Sequence, residues 1–244
     1  MRILASVAQA SLPLSIEDLM HEIGTSLAVT RRAVRALEME GFIVTDTQDG
    51  RYSISSRFLH LASLARSNYR LEQEIRPLLR ELTRRTGETV TFNIYEAGAT
   101  HAVCVLVEQS PAPLHYVVEV GERKPLHAGA SGKAILAHLP EEAIRSYITE
   151  TGLPPVTART STDPNKLLRE LKRIRKQGYT LTRGQRLEGA VAIAGTVFAG
   201  HVVHASLVVT IPAHRYHSAD RARLVDCVVT TAQAISHLLD TRKS

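Results

Sequence analysis

Residues 15–41, "SIEDLMHEIGTSLAVTRRAVRALEMEG", constrain the fold of this chain more than any other stretch. Ser15 is an N-cap candidate, and Glu17 and Asp18 sit where a helix dipole favours negative charge. Ile16, Leu19, Met20 and Ile23 recur at helical spacing, and Gly24 ends the run. Only Thr25 intervenes before Ser26, a second cap, opens another helix. Its inner stripe is Thr30, Val34 and Leu37, while Arg31, Arg32 and Arg35 point outward. Two helices joined this tightly have to cross rather than lie antiparallel, which is the helix-turn-helix arrangement. "FIVTDTQDGRYSIS" follows, with Asp49-Gly50 offering the positive dihedrals of a tight hairpin. With the helix-compatible residues 2–9 in front, residues 1–55 read as a winged helix-turn-helix domain.

A recognition helix presents the side chains near its N-terminus to base edges in the major groove, and arginine suits guanine or phosphate. Ser26, Leu27, Ala28, Val29, Arg31, Arg32 and Arg35 are the candidates on the helix, with Arg51 on the wing placed for phosphate. The arginine triplet alone also describes a solvated helix face. The caps, the short turn and the hairpin together favour double-stranded DNA as partner.

Charge adds nothing to that reading. The chain has 244 residues and a formal net charge of +6, but residues 1–68 carry seven Lys/Arg against seven Asp/Glu. The excess lies wholly downstream. No long uninterrupted apolar run suggests a membrane span, and the N-terminus lacks the apolar core of a secretion signal. Two cysteines are too few for a disulfide framework. A cytoplasmic location is expected.

Residues 56–85 read as helix, bent near Asn68. Phe58, Leu59, Leu61, Ala62, Leu64 and Ala65 are too apolar for a free linker, so residues 56–68 are expected to form a connecting helix packed on a partner subunit. Leu71, Ile75, Leu78, Leu79 and Leu82 make a second stripe that Gly87 stops. Beyond it the period turns from helical to alternating. "ETVTFNIY", "HAVCVLVEQ" and "LHYVVEVG" read as strands. Helices follow near 130–139, 141–149 and 163–177. Strands are expected at "YTLT", "AVAIAGTVF" and "HVVHASLVVTI", and a last helix is capped by Ser218. Residues 69–244 therefore form an α+β domain with a mainly antiparallel sheet.

Within it lies "LHAGASGKAIL". A P-loop needs a glycine five residues before the Gly-Lys pair and a hydroxyl after the lysine. His127 and Ala134 occupy those places. A nucleophile elbow around Ser131 needs a trailing glycine, and Lys133 stands there. Two readings remain. Backbone amides at a helix start hold a small anion such as a carboxylate, or the small residues simply permit close helix–sheet packing.

"PLHAGASGKAILAHLP", with "RPLLRELTRRTGETV" before it and "GAVAIAGTVFAGHVVHASLVVTIPAHR" after it, resembles the IclR family of bacterial transcriptional regulators, collinearly over almost the whole chain. The resemblance implies an operator-binding winged helix, a GAF-like effector-binding domain over residues 69–244, and a homodimer that commonly pairs into a tetramer. It implies an effector-responsive regulator, by expectation a repressor of a catabolic operon, with no cofactor. By the same resemblance Ala130, Ser131 and Gly132 hold the carboxylate of a small organic acid. Where glyoxylate- or pyruvate-type regulators carry an acid, a cysteine and hydroxyls, the matching positions are Thr182, Ala192, Val208 and Thr210, and a usual proline is Thr196. A small oxoacid then fits less well than an aromatic or otherwise apolar acid, with Tyr116 as a wall.

The pairs His201/His204 and His214/His217 raise the question of a metal. Residues three apart on a strand face opposite ways, so surface histidines are the better reading. Cys104 reads as core, and Cys227 lies in the final helix. No acid, base or nucleophile converges on Ser131, so no catalytic group is expected. An enzyme acting on a small carboxylic acid, or an oligomeric ligand-binding module, is the alternative.

Overall fold

Ser15 starts the second helix of the protein as the sequence predicts: its Oγ accepts from Asp18 N, and Asp18 Oδ2 accepts from Ser15 N, at 3.1 and 2.9 Å. Those two bonds, with the Arg51 and His21 charges, hold the Asp18 carboxyl below its ordinary pKa. The computed structural model describes residues 2–67 and 70–241. They divide into two units, Met1–Arg70 and Leu71–Ser244.

In the first unit, helices α1 (Arg2–Gln9), α2 (Ile16–Ile23) and α3 (Leu27–Met39) precede strands β1 (Ile43–Thr45) and β2 (Tyr52–Ile54), and α4 (Ser56–Ser67) follows. Gly24, at φ 68°, ends α2 by donating its N–H to Met20 O. Thr30 locks the turn from inside α3: its Oγ1 donates to Ser26 O and shares a 2.9 Å hydrogen bond with Thr25 Oγ1. Ser26 has the extended N-cap backbone but makes no side-chain cap bond. Ile3, Leu4, Leu19, Ile23, Val34 and Ile43 form the core, with Leu37 packed at its edge.

The hairpin is looser than Asp49-Gly50 suggested. β1 and β2 pair antiparallel from Ile43↔Ile54 to Thr45↔Tyr52, Asp46 N donates to Arg51 O, and Gly50 N donates to Asp46 O. Only Gly50 of the pair has positive φ, 69°, so the connection is a longer loop with one left-handed residue rather than a two-residue turn. Leu14 bridges to Tyr52 and gives the wing a third strand position. Ser55 Oγ accepts from Phe58 N at the start of α4, and the Phe58 ring meets Phe42 edge-on at 5.8 Å. Beyond Phe58, α4 leaves Leu59, Leu61 and Leu64 exposed. Asn68, the expected bend, and the side chains of Ala65 and Leu71 lie outside the described residues.

The second unit opens with α5 (Arg70–Thr86), followed by β3 (Thr89–Ile94), β4 (His101–Glu108) and β5 (Arg123–Pro125). Helices α6 (Gly129–Leu136), α7 (Glu141–Thr151) and α8 (Pro164–Gln177) come next, then β6 (Thr180–Arg183), β7 (Ala190–Ala199), β8 (Val202–Pro212) and α9 (Arg221–Thr241). One sheet results, in the order β5-β4-β3-β8-β7-β6, with every neighbour antiparallel. Among the described residues no helix is long and apolar enough to cross a membrane.

Alternation along the strands sorts residues by size. Val90, Phe92, Val191, Ile193, Leu207 and Val209 point one way and pack under α5 and α9. Thr89, Thr91 and Asn93, Ala192, Ala194 and Thr196, and Ser206, Val208 and Thr210 share the other face by register. On that side Ala194 and Val208 cluster with Ala130 and Ala134 of α6. Leu126, Ile135, Leu136, Leu167 and Leu171 make a further core around α6 to α8.

Two expectations fail in this unit. Residues 114–121 form no strand. Their carbonyls meet side chains, Gln109 Nε2 on Val118 O and Thr89 Oγ1 on Tyr116 O, while β5 takes the edge of β4 beyond them. Nor does Ser218 cap the last helix. It begins a 3-10 turn, Ser218–Asp220, with His217 at its cap position, and α9 starts at Arg221.

Candidate effector and nucleic-acid sites

α6 begins in an unusual way. Gly129 has φ 80°, which favours glycine, and a Cβ there would come within a tight 3.0 Å of Arg186 Cβ. The chain enters from His127, whose ring is held between Tyr147 Oη at 2.6 Å and Pro154 O at 2.9 Å. Burial pushes the His127 pKa down. Gly132 packs against β5: a Cβ would lie 2.2 Å from Pro125 O. The first-turn amides of such a helix have no intrahelical acceptor and carry the positive end of its dipole.

That turn covers a cavity lined in part by Gly129, Ala130 and Ser131. The small-residue sheet face supplies its floor, with Thr182, Ala192 and Thr210 side by side across β6, β7 and β8. Val208 lies one step further along β8. Ser131 Oγ is 2.9 Å from Ser206 Oγ, and Thr196 Oγ1 donates to Ala134 O at 2.8 Å, fastening α6 to the sheet.

Six of the eight residues singled out for an effector therefore surround one space: Ala130, Ser131, Thr182, Ala192, Val208 and Thr210. Gly132 and Tyr116 do not line it. Gly132 is spent on the approach of α6 to β5, and Tyr116 donates its hydroxyl to Glu188 O at 2.8 Å. Sequence reasoning missed Lys124, Gln185, Arg186 and Leu187, which also line the cavity. Lys124 is 2 % exposed, and its pKa is lowered to about 8, first by burial; Cys104 and Glu122 act against that shift and Arg186 adds to it. Arg186 is paired with Glu122.

Lys133, the lysine of "GASGK", points away from this space. It is buried, ion-paired with Glu170 of α8, and donates to Gln185 Oε1 at 2.7 Å. Its role is to tie α6 to α8 and to the loop after β6. Cys104 and Cys227 are both buried, and burial pushes the Cys104 thiol up. His201 sits exposed in the turn before β8.

In the first unit α3 turns Leu27, Ala28, Val29, Arg31, Arg32 and Arg35 to solvent while Thr30 and Val34 are buried. Leu27 is 38 % and Val29 48 % exposed, so two apolar side chains lie bare beside the arginines. Arg51 is engaged elsewhere. Its guanidinium donates to Pro13 O at 3.0 Å and lies 3.7 Å from both Asp18 and Asp49.

Comparison with known proteins bears on both units. A family model described as "IclR helix-turn-helix domain" matches residues 1–47, and one described as "Bacterial transcriptional regulator IclR C-terminal" matches residues 64–237. The HTH-type transcriptional regulator Rv1719 of Mycobacterium tuberculosis is 32% identical over 84% of this chain and 77% of its own length. The HTH-type transcriptional repressor AllR of Escherichia coli is 29% identical over 92% of this chain and 83% of its own. An IclR homologue from Microbacterium hydrocarbonoxydans, crystallised with 4-hydroxybenzoate, superposes with a TM-score of 0.76 at 23% identity and covers 100% of this chain and 97% of its own.

Proposed function

The chain belongs to the IclR family of bacterial transcriptional regulators, and from that premise we propose that it is an operator-binding repressor controlled by a small organic acid. The cavity beneath the first turn of α6 carries the ligand half of this reading. Helix-start amides at Ala130 and Ser131 offer a carboxylate hydrogen bonds aligned with a favourable dipole. Ala192 and Val208 give the floor an apolar strip suited to an aromatic or aliphatic body, flanked by the hydroxyl-bearing Thr182 and Thr210. The relatives' names, a transcriptional regulator and a transcriptional repressor, favour a sensor over an enzyme. The bound 4-hydroxybenzoate of the Microbacterium homologue supports this acid class.

The DNA half rests on α3. Arg31, Arg32 and Arg35 contact phosphates or guanine edges, Leu27, Ala28 and Val29 meet thymine methyls, and Arg51 braces the wing. The chain acts as a homodimer joined through the exposed leucines of α4, so that two copies of α3 read two half-sites.

The deciding experiment titrates the full chain with DNA from upstream of its own gene at several salt concentrations, with and without a panel of aromatic and aliphatic carboxylic acids. The logarithm of affinity falls linearly with that of salt, by about 0.9 per phosphate neutralised. Replacing Arg31 and Arg32 together by alanine flattens the slope and weakens binding, and one acid of the panel shifts affinity. Folded protein that shows no salt-sensitive DNA binding would sink the reading and leave an oligomeric ligand-binding module.

A further inference from the structure

Lys124 is the one charged side chain of the cavity without an ion-pair partner among the described residues, and its burial sets it apart from an ordinary surface lysine. β5 places it on the α6 side of the sheet, opposite Ala102. An ammonium has three donors, yet its hydrogen bond among the described residues is a long one, 3.4 Å to Thr91 Oγ1. That hydroxyl is shared with Asn93 Nδ2 at 3.2 Å, which also reaches Ser206 O. Arg186, the cavity's other cation, is already neutralised by Glu122. The groups facing Lys124 are thus Cys104 on β4, Glu122 ahead of β5 and Arg186 after β6, with hydroxyls and the amide ends of α6 making up the rest. A buried cation left unpaired is costly unless something supplies the counter-charge.

From this placement we propose that Lys124 is the specificity-determining residue of the cavity: its ammonium ion-pairs with the ionised group of the effector, beside the α6 amides. The inference rests on the acid-binding reading above and deepens it. The amides alone donate to any hydrogen-bond acceptor, a neutral amide or ester included. The ammonium makes a full negative charge necessary, because a neutral ligand would leave it buried and unpaired. Lys124 and the first turn of α6 line the same cavity, so one bound anion can engage both.

The test compares the full chain with Lys124→Met and Lys124→Gln, each checked for folding by circular dichroism and thermal unfolding. The probes are 4-hydroxybenzoate, its uncharged amide, and a panel of aromatic and aliphatic carboxylic acids, measured by calorimetry. Wild type should prefer the best acid over its amide by at least tenfold. Either variant should lose at least tenfold in affinity for the acid and lose the preference, while unfolding no earlier than wild type when unliganded. A folded variant that retains both affinity and preference overturns the inference and leaves the acid-binding reading standing. A wild-type chain that binds no acid of the panel overturns both. Failure of both variants to fold makes Lys124 a structural cation and overturns the inference alone.

Discussion

Single residues decide whether the space beneath α6 exists. Gly132 faces backbone, not a yielding side chain, and its missing Cβ would sit 2.2 Å from Pro125 O. Gly132→Ala therefore has to push α6 away from β5. The expected cost is ~3 kcal/mol, the upper end for overpacking, read as a melting point lower by roughly 6–12 °C for a unit of this size. An unchanged melting point would mean that α6 and β5 part easily. Lys124 adds a pH signature. Its pKa in the free protein is about 8, and a bound carboxylate raises it, so binding draws in a proton once the free amine has lost it. Affinity is accordingly flat below pH 8 and declines as pH climbs past it, by up to about tenfold per unit. Calorimetry with an acid that does not itself titrate in that range should show the decline in wild type and a flat profile in Lys124→Met.

At the scale of elements, caps and alternation do most of the work. The capping box of Ser15 and Asp18 orients α2, on which the crossing of α3 depends. Ser15→Ala should cost about 1 kcal/mol, seen as a lower denaturant midpoint of the winged-helix unit with the second unit unchanged. Helix α4 behaves differently. Phe58 anchors its start against Phe42, but Leu59, Leu61 and Leu64 stand in solvent at 61%, 43% and 46% exposure. These exposed leucines are the surface through which the proposed homodimer associates. Replacing Leu59 and Leu64 by glutamate should turn the proposed dimer into monomers in sedimentation velocity, without loss of helix content. A dimer that survives would place the interface elsewhere.

For the whole molecule the question is thermodynamic. An acid that weakens operator binding by some factor must itself bind the operator-loaded protein more weakly by that same factor. Couplings of this kind typically run from about 5-fold to 150-fold. Titrating the acid against free and DNA-loaded protein should therefore reproduce the factor seen when DNA is titrated with and without acid. Equal acid affinities in the two titrations would rule out regulation through this ligand, however tightly it binds.

Local chemistry determined much of this in advance. The cap at Ser15, the stop at Gly24 and the inward stripe of Thr30 and Val34 act within one or two helical turns, so the crossed helices were legible from residue order alone. Strand alternation was equally readable: "TVTFNI" and "SLVVTI" already separate large apolar residues from small and hydroxyl-bearing ones, and the cavity lies on the small side. The strand expected at 114–121 has the right alternation, but no strand forms there, and β4 pairs instead with β5 at its His101–Val103 end, a pairing that no single segment reveals. The same holds at the site. Ala130 and Ser131 line the cavity while Gly132, one residue further, is consumed by helix packing, and Lys133 turns to Glu170. Lys124 looks like any surface lysine in sequence. Only the closing of α6 over the sheet buries it, because burial depends on what the rest of the chain puts around a residue.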